Sequence, residues 1–211
     1  MYMRKFFTSL ILAAVMTAMP ATAFAQADPE PVPDALEMSI DDNIATPAVP
    51  SKARTYVRTA VDQLRRMLLR SGMNVESMRD GEVLEITLSC TSLFAAGSTE
   101  IKKSGIELLK PLATVVRDPA KYKVLVAVHT DDTGDTMYAD SITAARANAI
   151  DDCLWTMAGE RDTNVIPYGL GRDEPRVPNT SRANRETNRR VEIYIVPDEG
   201  LLEMAGVRRK K

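Results

Sequence analysis

The chain has 211 residues, with 27 lysines and arginines against 29 aspartates and glutamates, and a formal net charge of −2. This slight acidic excess disfavours a nucleic-acid-binding protein, which would carry a basic surplus. One histidine and two cysteines supply neither a metal cluster nor the Cys/His or Ser/His/Asp sets of hydrolytic sites. We therefore expect no enzymatic activity, no metal and no cofactor.

The first 25 residues are typical of a secretory signal peptide. Arg4 and Lys5 precede an apolar run over residues 6–19, and an Ala-Phe-Ala triplet ending at residue 25 has the pattern of a cleavage site. An uncleaved N-terminal anchor is the alternative, although the apolar run is shorter than the roughly 20 residues of a membrane span. No cysteine lies near the predicted cleavage site, so we expect no lipid anchor there.

Residues 26–51 are rich in proline and poor in large apolar side chains, which predicts a flexible linker. Residues 52–73 then change to helical periodicity. Apolar residues recur there at intervals of three and four, arginines occupy the other faces, and Gly72 follows as a C-cap. This amphipathic helix either packs on its own domain or serves as a dimerisation or partner-docking surface.

Residues 74–198 predict one α+β domain, in which a hairpin strand precedes the order β-α-β-α-β-β. Asp80-Gly81 is a strong hairpin signal, and Pro167 places its strand at an edge of the sheet or at the strand's end. Thr143 is the predicted N-cap of the second helix, and residues 199–211 form a basic, solvated tail. The predicted elements are strands at 74–78, 82–90, 123–128, 164–168 and 191–196, and helices at 102–116 and 143–158.

Two cysteines in an exported chain permit one disulfide. Cys90 continues the apolar alternation of its strand, and Cys153 lies near apolar residues of the second helix. Both therefore also fit the pattern of reduced core cysteines, which are often buried.

A lone carboxylate and a lone guanidinium are predicted to meet at one rim of the sheet. Asp131 follows the buried strand at 123–128, and Arg146 is expected in the first turn of the following helix, where the backbone N–H groups also favour an anion. A carboxylate attracts an ammonium group, and the guanidinium fork binds a carboxylate. The pair predicts a receptor for a ligand with both charges. Alternatively, Asp131 and Arg146 pair with each other.

Two sequence blocks resemble the signature of the OmpA C-terminal-like domain, also called the OmpA/MotB domain, and their separation also matches that of the family. The similarity runs from about Leu84 to Val196, roughly half of the chain. The matching residues are His129-Thr130-Asp131, Gly134, Tyr138, Ile142-Thr143 and Arg146-Ala147, followed by Gly169-Leu170-Gly171, Pro175, Asn179, Arg185 and Asn188 to Glu192.

This resemblance implies an OmpA-like mixed sheet with helices on one face, and non-covalent binding of peptidoglycan through the diaminopimelate of its stem peptide. Such a protein would tether an envelope component, with an outer-membrane or other envelope protein as a candidate partner, and a homodimer is also open. It would be periplasmic, with or without association with the outer membrane of a Gram-negative cell. The alternative is a structural or assembly subunit of an envelope complex that keeps the fold without the ligand.

The resemblance also implies ligand-binding residues. Asp131 and Arg146 match the family's ligand-binding pair. Thr130, Thr133 and Tyr138 surround the same loop and either contact the ligand or stabilise the turn. Arg190 is expected near the ligand or against Asp131, with a structural ion pair to an acid of a helix as the alternative. The sequence departs from the family pattern at Gly97, Ala139, Arg172 and Asn184. The first two changes remove potential ligand contacts, which predicts weaker binding or a different ligand.

Overall fold

The computed structural model describes residues 37–159 and 164–207. The predicted signal peptide, the first part of the predicted linker at 26–36, and residues 208–211 of the predicted basic tail lie outside the described residues.

Five strands form one mixed sheet with the order β1-β2-β5-β3-β4. β3 and β4 are parallel, and all other neighbours are antiparallel. The last strand in sequence, β5, therefore lies at the centre of the sheet, between β2 and β3, and every one of its residues is buried. The strands are β1 Val75–Met78, β2 Val83–Ser89, β3 Tyr122–Val128, β4 Val165–Gly169 and β5 Arg190–Pro197.

Eight α-helices accompany the sheet in the part of the chain that the structure describes. None of these is long and apolar enough to cross a membrane. They are α1 Ile40–Ala45, α2 Arg54–Arg70, α3 Cys90–Leu93, α4 Lys103–Leu109, α5 Ala113–Val116, α6 Thr136–Ala158, α7 Arg182–Asn188 and α8 Glu199–Met204.

Alternating side chains of the strands divide the core between the two faces of the sheet. In β5, Ile193 and Ile195 belong to the larger cluster, which also contains apolar side chains of α2, α4, α5 and α6. Tyr194 and Val196 belong to a smaller cluster on the opposite face. The predicted α+β class, the mixed sheet, the hairpin strand and the extra amphipathic helix are confirmed.

The apolar stripe of α2 packs on its own domain. Val57, Val61 and Leu68 are at most 1% exposed and belong to the larger core cluster. Helix α2 ends before Gly72, which has a φ of +83°, a backbone conformation that glycine adopts without a Cβ penalty. The stripe is thus covered within the domain, and the arginines of α2 are left towards solvent.

Two predicted helices and the predicted tail differ from the structure. The helix at 102–116 is divided into α4, a short 3₁₀ turn containing Pro111, and α5, because proline has no N–H for the helical ladder. Helix α6 begins at Thr136 rather than Thr143. Residues 199–204 form α8, in which Leu201 and Leu202 are buried, so this part of the predicted tail belongs to the core.

The structure also corrects the predicted flexible linker. Residues 38–50, which we call the strap, begin on the face of the sheet opposite α2 and end at the larger core cluster. Helix α1 lies within the strap, and Ile40 and Ile44 pack against the smaller core cluster. Val49 is buried in the larger cluster. A few apolar side chains thus suffice to dock the segment on a preformed sheet, although they could not form a core alone.

Polar contacts hold the strap to the sheet. Asn43 is fully buried, its Nδ2 donates to the Tyr168 hydroxyl at 2.6 Å, and its Oδ1 accepts from Lys123 Nζ at 2.7 Å. The Arg79 guanidinium donates to the carbonyl oxygens of Ile44 and Pro47. Burial lowers the pKa of Lys123 to about 8, so this ammonium depends on its few hydrogen-bond partners.

We expect Asn43→Ala to lower the free energy of unfolding by about 1.5–3 kcal/mol, because hydrogen bonds to a charged group contribute about that much. Urea denaturation followed by circular dichroism measures the change. Asp41→Ala is the matched control, since Asp41 is exposed on the same helix. Equal, small effects of the two substitutions would show that the polar contacts of the strap add nothing to stability.

Candidate ligand-binding site

The predicted carboxylate lies just beyond the end of β3 and is almost completely buried. Asp131 is 2% exposed. Its Oδ1 accepts the Thr133 backbone N–H at 2.8 Å, and its Oδ2 pairs with Nη1 of Arg189. Burial alone would raise the pKa of Asp131, but the hydrogen bonds from Thr133 and the charge of Arg189 outweigh burial and hold the pKa below its ordinary value. The group is therefore a carboxylate at neutral pH.

Arg146 lies well inside α6, not in its first turn as predicted. The helix begins earlier because Asp135, rather than Thr143, is the N-cap, and its side chain accepts the backbone N–H of Tyr138. Thr143 is buried in the helix and donates to the carbonyl oxygen of Ala139. The argument that free N–H groups of the helix start assist Arg146 is therefore wrong.

Backbone carbonyls and an aromatic ring position the Arg146 guanidinium instead. Nε donates to the Ser98 carbonyl oxygen at 2.9 Å, and Nη2 donates to that of Ala95 at 3.4 Å. The guanidinium carbon lies 5.0 Å from the ring centroid of Phe94, within the range of a cation–π contact. Asp131 and Arg146 thus each have other partners, and the alternative that they pair with each other is wrong.

Both groups line one cavity of about 400 Å³. Residues 94–97 after α3 form one side of it, and Thr130 and Thr133 stand beside Asp131 in the loop after β3. Tyr138, which is 51% exposed, and Ile142 contribute from α6. The structure therefore brings together five of the six predicted ligand-binding residues: Thr130, Asp131, Thr133, Tyr138 and Arg146.

The sixth, Arg190, does not line this cavity. It is 6% exposed, and its Nε donates to Glu192 Oε1 at 2.7 Å. The preceding residue, Arg189, lines the cavity and pairs with Asp131. Successive side chains of an extended chain point to opposite sides. Arg189, just before β5, therefore faces the cavity, and Arg190, the first residue of β5, faces the opposite side. Arg190 thus forms a structural ion pair, but its partner Glu192 belongs to strand β5, not to a helix as the alternative expected.

Helix α7 supplies a wall of the cavity that the sequence analysis missed. Arg182 and Glu186, four residues apart and thus on the same side of a helix, line the cavity together with Arg189. Glu186 accepts from the Thr91 hydroxyl at 2.7 Å and from the Ser89 hydroxyl at 3.1 Å, and it pairs with Arg189. The i, i+4 spacing of Arg182 and Glu186 was the only available signal in the sequence.

The departures from the family pattern have different structural consequences. Gly97 lines the cavity with a φ of +67°, and Ala139 is buried within α6. Arg172 donates to the Gly134 carbonyl oxygen and to Thr136 Oγ1, both at 2.8 Å. It thereby ties the loop after β4 to the start of α6. Asn184 is helical in α7, where its backbone N–H donates to Ser181 Oγ.

A network of buried charges lies behind the site, on the opposite face of β5. Glu192 is 6% exposed. It accepts hydrogen bonds from Arg190, from Arg176 at 2.8 Å and from the Tyr194 hydroxyl at 2.7 Å, and His129 Nε2 lies 3.3 Å away. Although burial raises the pKa of Glu192, the hydrogen bonds from His129, Arg190 and Tyr194 hold it far below its ordinary value. This network fixes the start of β5 and hence Arg189.

The arrangement is suited to binding. Within residues 37–159 and 164–207, no group of three or more His, Cys, Asp or Glu side chains could hold a metal ion. Cys90 and Cys153 are free thiols, and burial raises the pKa of Cys90 to about 11, which leaves it protonated. The cavity presents fixed charges of both signs to a ligand.

Comparisons with known protein families and with individual proteins agree on one family. The model of the OmpA family matches residues 93–189. The chain is 32% identical over 122 residues to the outer-membrane lipoprotein YfiB of Pseudomonas aeruginosa. This alignment covers 58% of this chain and 71% of that protein. It is 28% identical over 142 residues to the probable lipoprotein YiaD of Escherichia coli, covering 67% of this chain and 64% of that protein.

Solved structures have the same fold. The cell wall anchor of the T6SS from Pseudomonas aeruginosa superposes with a TM-score of 0.55 at 26% identity, over 64% of this chain and 97% of that one. A putative MotB-like protein from Desulfovibrio vulgaris superposes with a TM-score of 0.58 at 23% identity, over 69% and 98% of the two chains. This second likeness concerns the fold alone.

Proposed function

The chain belongs to the OmpA family, and from that premise we propose that it binds peptidoglycan without catalysis in the cell envelope of a Gram-negative bacterium. Its relatives include outer-membrane lipoproteins and a cell wall anchor. The finer proposal is that the ligand is the diaminopimelate of the stem peptide, and that binding tethers an envelope partner to the wall.

One observation carries the proposal: a buried carboxylate and a buried guanidinium line the same cavity, and they do not neutralise each other. The free end of diaminopimelate presents an ammonium and a carboxylate on one carbon. Asp131 uses two of about four lone-pair positions for Thr133 and Arg189, so it can also accept the ammonium. Arg146 uses two of its five N–H donors for hydrogen bonds to backbone carbonyls. The remaining donors can bind the carboxylate of the ligand.

The remaining lining residues have supporting roles in this proposal. The hydroxyls of Thr130, Thr133 and Tyr138 lie around the cavity, where they can complete the hydrogen bonds of the ligand. Thr133 and Arg189 together keep Asp131 ionised and in place. Because Asp131 and Arg146 are held by contacts within the domain, the cavity exists before the ligand arrives, which limits the entropic cost of binding.

Co-sedimentation with purified cell walls tests the proposal. We expect the purified protein to sediment with diaminopimelate-type peptidoglycan and not with lysine-type peptidoglycan, because lysine lacks the carboxylate that Arg146 would bind. Sedimentation with both wall types would retain peptidoglycan binding but contradict the diaminopimelate assignment. A folded protein that sediments with neither would favour the alternative of a structural subunit without this ligand.

A further inference from the structure

The cavity contains a charged side chain that the diaminopimelate proposal does not use. Arg182 is the first residue of α7, is exposed, and lines the same cavity as Asp131 and Arg146. Ser181 caps the helix by accepting the backbone N–H of Asn184, which fixes the position from which the Arg182 side chain leaves the backbone. Its guanidinium is therefore presented by a defined wall of the cavity.

Arg182 differs from the other charged residues of this cavity because they all have partners. Asp131 and Glu186 pair with Arg189, and Arg146 donates to two carbonyl oxygens. Among the residues that the structure describes, none forms an ion pair or a side-chain hydrogen bond with Arg182. Its guanidinium is thus available to a molecule that enters the cavity.

The nearest acid along α7 does not serve as its partner. Glu186 follows at the i, i+4 position, where an ion pair with Arg182 would be expected. Its carboxylate instead accepts from Ser89, Thr91 and Arg189. Because both acids of the cavity are engaged by Arg189, the cavity keeps a surplus of positive charge at Arg146 and Arg182, which favours a ligand with more than one carboxylate.

We propose that Arg182 binds a second carboxylate of the stem peptide, outside the zwitterionic end of diaminopimelate that Asp131 and Arg146 hold. This inference rests on the proposed function and deepens it. The stem peptide offers two such groups: the α-carboxylate of the D-glutamate that precedes diaminopimelate, and the carboxylate at the C-terminal end of the peptide. Both are matched by the planar N–H fork of an arginine. Arg182 then makes the site selective for a peptide-linked ligand whose carboxylates are not amidated.

Isothermal titration calorimetry with four ligands tests this inference. The ligands are free meso-diaminopimelate, the tripeptide L-Ala-γ-D-Glu-meso-diaminopimelate, the tripeptide with D-isoglutamine in place of D-glutamate, and the tripeptide amidated at its C-terminal end. We expect the wild-type protein to bind the unmodified tripeptide about five- to tenfold more tightly than the form in which the carboxylate bound by Arg182 is amidated. This difference corresponds to one partly exposed hydrogen bond between charged groups. The form that loses affinity identifies which carboxylate Arg182 contacts.

Arg182→Ala should erase this preference between the unmodified and the amidated tripeptide. Arg66→Ala is the matched control, because Arg66 is an exposed arginine of α2 that does not line the cavity. It should retain the preference. Both side chains are exposed, so we expect both variants to fold. Each variant is titrated only after its thermal melt matches that of the wild type, which separates a loss of binding from a loss of folding.

Two results would separate failure of this inference from failure of the proposed function. If the wild-type protein binds the tripeptide and both amidated forms equally, or if Arg182→Ala keeps the wild-type preference, Arg182 does not read a second carboxylate. If the wild-type protein binds none of the four ligands, the diaminopimelate proposal itself is wrong, and the inference falls with it.

Discussion

Asp131→Asn is expected to weaken binding to diaminopimelate-type peptidoglycan by about 10- to 150-fold, corresponding to the roughly 1.5–3 kcal/mol of a hydrogen bond to a charged group. The amide has the same shape and can still accept the Thr133 N–H, but it lacks the charge that attracts the ligand ammonium. Sedimentation over a range of cell-wall concentrations measures the change in affinity.

Asp132→Asn provides a control with the same chemical change one residue away. Asp132 is exposed, and it does not line the cavity, so its substitution should leave binding within about twofold, as expected for a screened surface charge. Equal binding by the two variants would contradict the assignment of Asp131 as the ammonium-binding group. Asparagine is preferred to alanine because Asp131 is buried and paired with Arg189, so that removal of the whole side chain would also disturb the fold.

Glu192→Ala is expected to lower the free energy of unfolding by about 3–5 kcal/mol, because it leaves the guanidinium of Arg190 buried without its carboxylate. Arg190 is only 6% exposed and cannot turn to solvent without displacing its neighbours. Urea denaturation at neutral pH measures the loss. Glu85→Ala is the control: its partner Arg176 is 42% exposed and keeps Glu192 as a second partner, so we expect a cost of about 1 kcal/mol or less.

The same substitution should change the response of stability to acid. The pKa of Glu192 is lower in the folded protein than in the unfolded chain, so its contribution is present above the ordinary pKa of a glutamate and is lost as the pH falls through the lower, folded value. Wild-type stability should therefore decrease more steeply below about pH 4.3 than that of Glu192→Ala. Parallel pH profiles would show that Glu192 is not the group that titrates.

The sheet could be predicted from the sequence because its strands have strong local patterns. The continuous apolar run of β3 is typical of a strand buried on both faces, and Asp80-Gly81 identifies the hairpin between β1 and β2. The start of α6 could not be predicted equally well. Both Asp135 and Thr143 are suitable N-cap residues, and residues 136–142 are mostly exposed, so no apolar stripe distinguishes the two starts.

The candidate site was predictable where a residue's position depends on one element, and less so where it depends on several. Asp131 follows directly from the end of β3. The exchange of roles between Arg189 and Arg190 depends on the register of β5, where a shift of one residue reverses the direction of every side chain. The strap was missed because Asn43 and Ile44 gain their partners from β3, β4 and a turn far away in sequence, and local composition does not report such contacts.

The strap has a mechanical consequence for a protein that holds on to a rigid wall. Lys123, near the start of β3, holds the strap, and Asp131 lies just beyond the other end of the same strand. Tension between the strap and a ligand at Asp131 therefore runs along β3, whose hydrogen bonds to β5 and β4 are loaded together, in shear.

Without the strap, the same tension would enter through α2 and reach β1 at the edge of the sheet. The hydrogen bonds between the four residues of β1 and β2 would then break one after another, starting at one end. The contacts of Asn43 and Arg79 thus shift the load from the edge strand β1 to β3, a strand that is paired on both sides.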